Sequence, residues 1–150
     1  MSMQSADPDA ARREANKAVV RRIYEEGYDH GDVTVFETLY APGFTHHSKV
    51  TTESHAGGLG EAQSMARFRA AIPDVRFRVL SQLAEDDWVA TRLRISGHPV
   101  SSYGPVVGTE DIFDVHSLVL FRLDGGRVAE EWLFVDGGSE PDPEPGRATA

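Results

Sequence analysis

The last third of the chain carries the clearest alternation of apolar and polar positions. Val115 to Leu123 and Arg127 to Val135 each read as a β-strand, and Asp124-Gly125-Gly126 between them is a hairpin turn signal. Side chains two apart along a strand share a face. A three-residue Asp-Gly-Gly loop, with a glycine in its left-handed last position, pairs Leu123 with Arg127 and Leu120 with Glu130. That register gathers His116, Leu118, Leu120, Glu130, Trp132 and Asp136 on one face, whereas a two-residue loop sends His116 to the other side. One imidazole and two carboxylates among apolar groups read as the floor of a pocket rather than as pure core.

Upstream the period changes. Residues 1–8 read as frayed, and Asp7 or Asp9 caps a helix carrying Val19, Val20, Ile23, Tyr24 and Tyr28, with Gly31 at its end. Asp32 caps a short helix with Val33, Phe36, Leu39 and Tyr40, which Ala41-Pro42-Gly43 breaks. Phe44 to Ser48 is a short strand. Lys49 to Gly60 reads as a loop, and Glu61 to Ala71 as a third helix stopped by Pro73. Val75 to Glu85 and Trp88 to Ser96 form a second antiparallel pair around Asp86-Asp87, and 97–109 is a Gly/Pro-punctuated excursion. The tail, 139–150, is rich in proline and nearly devoid of apolar groups, so it reads as disordered. Helices followed by a meander of long strands predict an α+β fold. A single domain over 9–138 would pack helices on a curved, mainly antiparallel sheet and enclose a pocket.

Composition narrows the function classes. A formal charge of −9 on 150 residues, with no basic run, argues against nucleic acid and anionic membrane as partners. The absence of cysteine excludes disulfides, thiolate metal sites and thiol nucleophiles. No stretch resembles a signal peptide or a membrane span, which suggests a soluble, cytoplasmic protein.

Several motifs then align with a known family. Asn16-Lys17 with Tyr24, Pro42-Gly43-Phe44 before His47, Ile72-Pro73-Asp74 opening a strand, and the run from Asp124 to Trp132 followed by Asp136 resemble the SnoaL-like polyketide cyclases. These belong to the nuclear transport factor 2-like superfamily, and the resemblance covers roughly residues 15–138. It implies a cone-shaped α+β fold and aldol-type ring closure by a carboxylate and a nearby histidine, without cofactor or metal. By the motif the carboxylate falls on Glu130, where characterised cyclases typically carry aspartate, and the histidine on His116. The same resemblance places Tyr24 on the cavity wall, favours His47 over His46 as the inward histidine, and lets His98 line the pocket. Loops 49–60 and 97–109 depart from the family pattern and are expected to set substrate choice.

The resulting site expectation is Glu130 as base and His116 as its acid partner. Leu118, Trp132 and Phe134 form walls, Tyr24, His47 and His98 line the cavity, and Asp136 closes the strand end. Glu131 reads as a solvent-facing residue. No metal site is expected, because His46 and His47 point apart along their strand. The ligand is expected to be a hydrophobic, oxygenated small molecule. An isomerase or hydrolase using the same carboxylate, or a non-catalytic binding module, fits the same residues. Val119, Phe121, Leu133 and Val135, opposite the proposed pocket face, suggest a homodimer surface.

Overall fold

The computed structural model describes residues 7–48, 57–104 and 106–135. Expectations for residues 1–6, for 49–56, for Asp136 and for the tail lie outside these. Helix α1 spans Pro8–Arg22 and starts where a cap was expected: the Asp7 carboxylate accepts from the Asp9 N–H, and Pro8 occupies the first turn. The helix then widens into a π-helical turn, Ile23–Tyr28, closed by a 2.8 Å bond from the Asp29 N–H to the Tyr24 carbonyl. Helix α2, Thr34–Thr38, follows Asp32, whose carboxylate accepts from the Thr34 N–H and hydroxyl.

The strands are β1, Tyr40–Ser48; β2, Arg76–Glu85; β3, Trp88–Gly97; β4, Phe113–Asp124; and β5, Arg127–Val135. They form one sheet in the order β1-β5-β4-β3-β2. β1 runs parallel to β5, and the other pairings are antiparallel. The fold is therefore α+β, with the helices at the N-terminal end packed on a mostly antiparallel sheet. Pro42-Gly43 does not end a helix before a short strand. It sits inside β1, where the pairing with β5 loses register between Tyr40 and Thr45.

The hairpin differs from expectation in an instructive way. Gly125 and Gly126 both have positive φ, 57° and 80°, so they alone form the loop, and Asp124 pairs with Arg127. Both central residues of such a turn need the left-handed region, which two glycines supply. One residue further, Ala129 is left over as a bulge, and Arg122 pairs with Glu130, Phe121 with Glu131, and Leu120 with Trp132. The shorter loop and the bulge together displace the register by two, which keeps its parity. His116, Leu118, Leu120, Glu130 and Trp132 do share a face, but the helices cover the other one.

The covered face carries Val89, Leu93 and Ile95 from β3, and Val119, Phe121 and Leu123 from β4, against Val20, Ile23, Tyr24, Phe36, Met65 and Ile72 from the helical layer. Each large apolar side chain so buried contributes roughly 1.5–3 kcal/mol. Val119 and Phe121 are thus core residues and not part of an outer patch.

Helix α3, Gly57–Ala71, begins four residues before the expected Glu61. Its first turn lies against α2 because position 58 has no side chain: a Cβ there would sit 1.9 Å from the Phe36 carbonyl oxygen. Gly58→Ala must push α3 away from α2. The expected loss is about 2 kcal/mol, the usual scale for overpacking. Thermal denaturation checks it; an unchanged midpoint would mean that α3 is not seated this tightly.

Candidate active site

β1 and β5 lie side by side with His46 opposite Glu131, so the two side chains leave the same face of the sheet. Helix α3 crosses above them and adds Glu61. The Nδ1 atom of His46 lies 3.1 Å from Glu61 Oε1 and 3.2 Å from Glu131 Oε1. All three side chains are buried, with exposures of 6%, 1% and 6% for His46, Glu61 and Glu131. The π-helical turn supplies the next contact: the Tyr28 hydroxyl donates to Glu61 Oε2 at 2.6 Å. Tyr24 and Tyr28, one wide turn apart, lie with ring centroids 5.4 Å apart.

This cluster forms one wall of a cavity of about 80 Å³, between the sheet and the helices. The remaining lining is mostly apolar and aromatic, including Phe68, Phe77, Phe113, Leu133 and Val135. Tyr103, in the excursion between β3 and β4, reaches over the cavity and shares a 3.1 Å hydrogen bond with Ser64 of α3. Ser117 is buried on the floor, and its hydroxyl has no partner among the described residues.

Low dielectric and close charges set the proton affinities. Burial alone would push the His46 imidazole down, but its contacts with Glu131 and Glu61 outweigh that and raise it to about 10. Burial, reinforced by the charge of Glu61 and opposed by His46, raises Glu131 to about 7. Tyr24, Tyr28 and Tyr40 are raised by burial and then by the nearby carboxylates, so their hydroxyls stay protonated and can only donate or accept hydrogen bonds. The site therefore holds an imidazolium beside a carboxyl group that gains and loses a proton near neutrality, as general acid/base work requires.

His46, Glu61 and Glu131 also present ligand atoms all within 4.8 Å of one another. An imidazole and two carboxylates are a donor set that suits zinc or manganese. The sequence reading, which expected no metal site, saw no such cluster because its members come from three separate elements. Within it, the His46 Nδ1 stands at ion-pair distance from both carboxylates, so an ion and the imidazole proton would compete for the same position.

The structure places the sequence-derived candidates differently. Tyr24 is on the cavity wall, Tyr28 beside it. Glu130 and His116 are on the uncovered face, away from the cavity. Glu130 accepts from Arg122 at 2.8 and 3.0 Å and lies 3.1 Å from His47. Arg122 first, and His47 second, hold its carboxyl below the ordinary range, which is the wrong direction for a base at neutral pH. Leu118 and Phe134 are exposed on that same face, and Trp132 stacks there on His47 at a centroid distance of 4.9 Å and meets Trp88 at a tilt at 5.4 Å. His98 is a loop residue bound to Asp74 through its backbone N–H and its ring. These are corrections with one cause: the pocket lies on the helix-covered face.

What sequence reasoning passed over is His46, Glu61, Glu131 and Tyr28. For the first three the signal was present. Phe44 is buried, and His46 shares its face by alternation. Glu61 falls on the stripe of Met65, Phe68 and Ile72. Glu131 alternates with Leu133 and Val135.

A family model described as SnoaL-like polyketide cyclase matches residues 18–139. No curated protein sequence matches the chain. Among solved structures, a provisionally assigned SnoaL-like polyketide cyclase from Jannaschia sp. CCS1 is 24% identical, with a TM-score of 0.70 over 89% of this chain and 92% of that one. AclR from Streptomyces galilaeus, provisionally assigned as a hydroxylase, is 21% identical, with a TM-score of 0.68 over 84% and 81%. A protein of ketosteroid isomerase-like fold from Catenulispora acidiphila is 18% identical, with a TM-score of 0.64 over 77% and 83%. At these identities the likeness is one of fold. No helix among the described residues is long and apolar enough to cross a membrane.

The raised proton affinity of His46 makes stability depend on pH. Between an ordinary value of 6.5 and about 10 the folded state binds the imidazole proton and the unfolded state does not. Stability from this group is therefore complete below 6.5 and falls as pH rises through 10. His46→Gln should lower the thermal midpoint most below pH 6.5, and the gap to the parent protein should narrow steadily towards pH 10. A constant gap would contradict the charged triad.

Proposed function

The chain belongs to the SnoaL-like polyketide cyclase family, and on that premise we propose that it is a cofactor-independent acid/base enzyme acting on a largely apolar, oxygenated small molecule. The observation that carries this reading is the Glu131 carboxyl: buried, facing the cavity, held by His46 and poised near neutral pH. Mechanistically, the Glu131 carboxylate takes a proton from a carbon next to a carbonyl. The resulting enolate attacks a second carbonyl of the same molecule, forming a carbon–carbon bond. The new alkoxide then takes the proton back from Glu131. Through both steps the His46 imidazolium offsets the negative charge that moves between carboxylate and substrate. Apolar and aromatic walls accept the carbon skeleton, and a cavity of about 80 Å³ suits its reacting end. The same proton transfer without ring closure would be an isomerisation, and the first step is common to both.

Proton abstraction is testable without knowing the natural substrate. Incubating the protein in D2O with a panel of aryl β-diketones and aryl ketones, and following α-deuteration by mass spectrometry, reads the first step directly. Glu131→Gln should lose about a hundredfold or more of the exchange rate, as general-base losses do. Glu130→Gln should stay within about twofold, since its partners lie on the other face. Equal loss in both variants, or no exchange above buffer with any compound, would overturn the assignment.

The reading includes a homodimer, with the surface moved from the expected one. Val119, Phe121, Leu133 and Val135 face the core or the cavity. The uncovered face instead shows Leu83, Trp88, Leu118 and Phe134, at 77%, 38%, 49% and 57% exposure. A sheet face with this much apolar surface is suited to a second copy of the chain. Phe134→Glu should convert the dimer to monomer in sedimentation at micromolar concentration. A monomeric parent protein would remove this part of the reading.

A further inference from the structure

Two buried hydroxyls lack a hydrogen-bond partner among the described residues, those of Tyr40 and Ser117, and of the two only Ser117 lines the cavity. Ser117 stands on the floor, within β4, and is 2% exposed. Its neighbours on the covered face are Val115 and Val119 along the strand, Leu93 across on β3 and Val135 across on β5, all of them apolar. A hydroxyl left unbonded among such groups is costly, and alanine or valine would fill the same position in the sheet without that cost. We propose that Ser117 is a specificity-determining residue: its hydroxyl holds a hydroxyl or carbonyl oxygen of the ligand, at the end away from the carbon that meets Glu131. A serine hydroxyl both donates and accepts, so either kind of oxygen satisfies it.

The sheet fixes how far apart the two ends of the ligand are. Val135, the pair of Ser117, is four residues beyond Glu131 on β5, 135 less 131. At a rise of about 3.3 Å per residue the two positions are separated by about 13 Å along the strand, and both side chains stand on the covered face. Hydrogen-bond contacts of about 3 Å at each end leave roughly 7 Å between the carbon that loses its proton and the oxygen that Ser117 takes. An aryl methyl ketone with an oxygen in the para position spans such a gap, its ring lying among apolar walls that include Phe68, Phe77 and Leu133. The substrate class is then narrower than a largely apolar, oxygenated molecule. It is a flat ketone with a second oxygen at the opposite end of the ring.

The inference rests on the cavity being the substrate site, and its test reads binding without turnover. The probes are acetophenone, para-hydroxyacetophenone and ortho-hydroxyacetophenone, each titrated into the protein and followed by NMR. The parent protein should bind the para compound about tenfold more tightly than acetophenone, the scale of one hydrogen bond to a buried group. The ortho compound, whose oxygen lies beside the ketone, should show no such margin. In Ser117→Ala the para compound and acetophenone should bind within about twofold of each other, and the thermal midpoint without ligand should not fall, because the hydroxyl has no bond within the protein to lose. The same midpoint shows that the variant is folded. Three results overturn the proposal: a margin that survives in Ser117→Ala, a parent protein that does not distinguish the two compounds or binds neither, or a lowered midpoint in the variant. Deuterium exchange separates this failure from failure of the enzyme reading. A para margin that Ser117→Ala removes, in a protein that exchanges no deuterium, sinks only the catalytic assignment. Exchange that Glu131→Gln abolishes, without a para margin, sinks only the role of Ser117.

Discussion

Burying two carboxylates against one imidazole is the demand to which the rest of this structure answers. An isolated charge taken out of water costs several kcal/mol even after relaxation, and only close, well-directed partners offset it. Here the partners must arrive from three directions at once. The parallel pairing of β1 with β5 brings His46 level with Glu131. The seat of α3 on α2, possible because residue 58 is glycine, lowers Glu61 onto them. The π-helical turn carries Tyr28 to the far oxygen of Glu61. Loosening any of these elements would leave a charge stranded in an apolar wall. The geometry therefore couples the integrity of the fold to the chemistry of the site.

Much of the architecture was legible from the pattern of side chains, because alternation and helical spacing report burial directly. The cap at Asp7, the helices, the two antiparallel pairs and the α+β class all follow from it. So does the grouping of His116, Leu118, Leu120, Glu130 and Trp132 on one face. The side of the sheet on which that face lies was not legible. A cavity between sheet and helices is a continuation of the core, so its lining is nearly as apolar as the core itself. By alternation alone the stripe of Val119, Phe121, Leu133 and Val135 suggests an outer dimer surface, yet it is interior packing and cavity lining, with Glu131 as an intruder on it. A face mixing histidine and glutamate with Leu118, Trp132 and Phe134 looks more like a site, and is instead an amphipathic outer surface. The intruder was the better signal, since a lone carboxylate on an apolar stripe is costly unless it is used.

Two features were beyond any reading of periodicity. The bulge at Ala129 has no turn residue to mark it, and the closeness of His46, Glu61 and Glu131 depends on tertiary contacts among residues up to 85 positions apart, 131 less 46. The resemblance to a family could not substitute for this. Its motif points to the neighbourhood of Trp132, but one residue along a strand is the whole difference between the cavity and the outer face.

Glu130 and Glu131 make that difference concrete. They are the same residue type, adjacent in the chain, in one strand. Glu130 meets Arg122 and His47 at the surface, and its proton affinity falls below the ordinary range. Glu131 meets an apolar wall, a second carboxylate and an imidazolium, and its affinity rises to about 7. Environment separates two identical groups in the way that lets one fold hold a fixed charge and a mobile proton side by side. The outer glutamate also has a mechanical part. By tying Arg122 of β4 to His47 of β1 across β5, it links three neighbouring strands on the side away from the cavity. That clamp lies directly behind the pairing of His46 with Glu131.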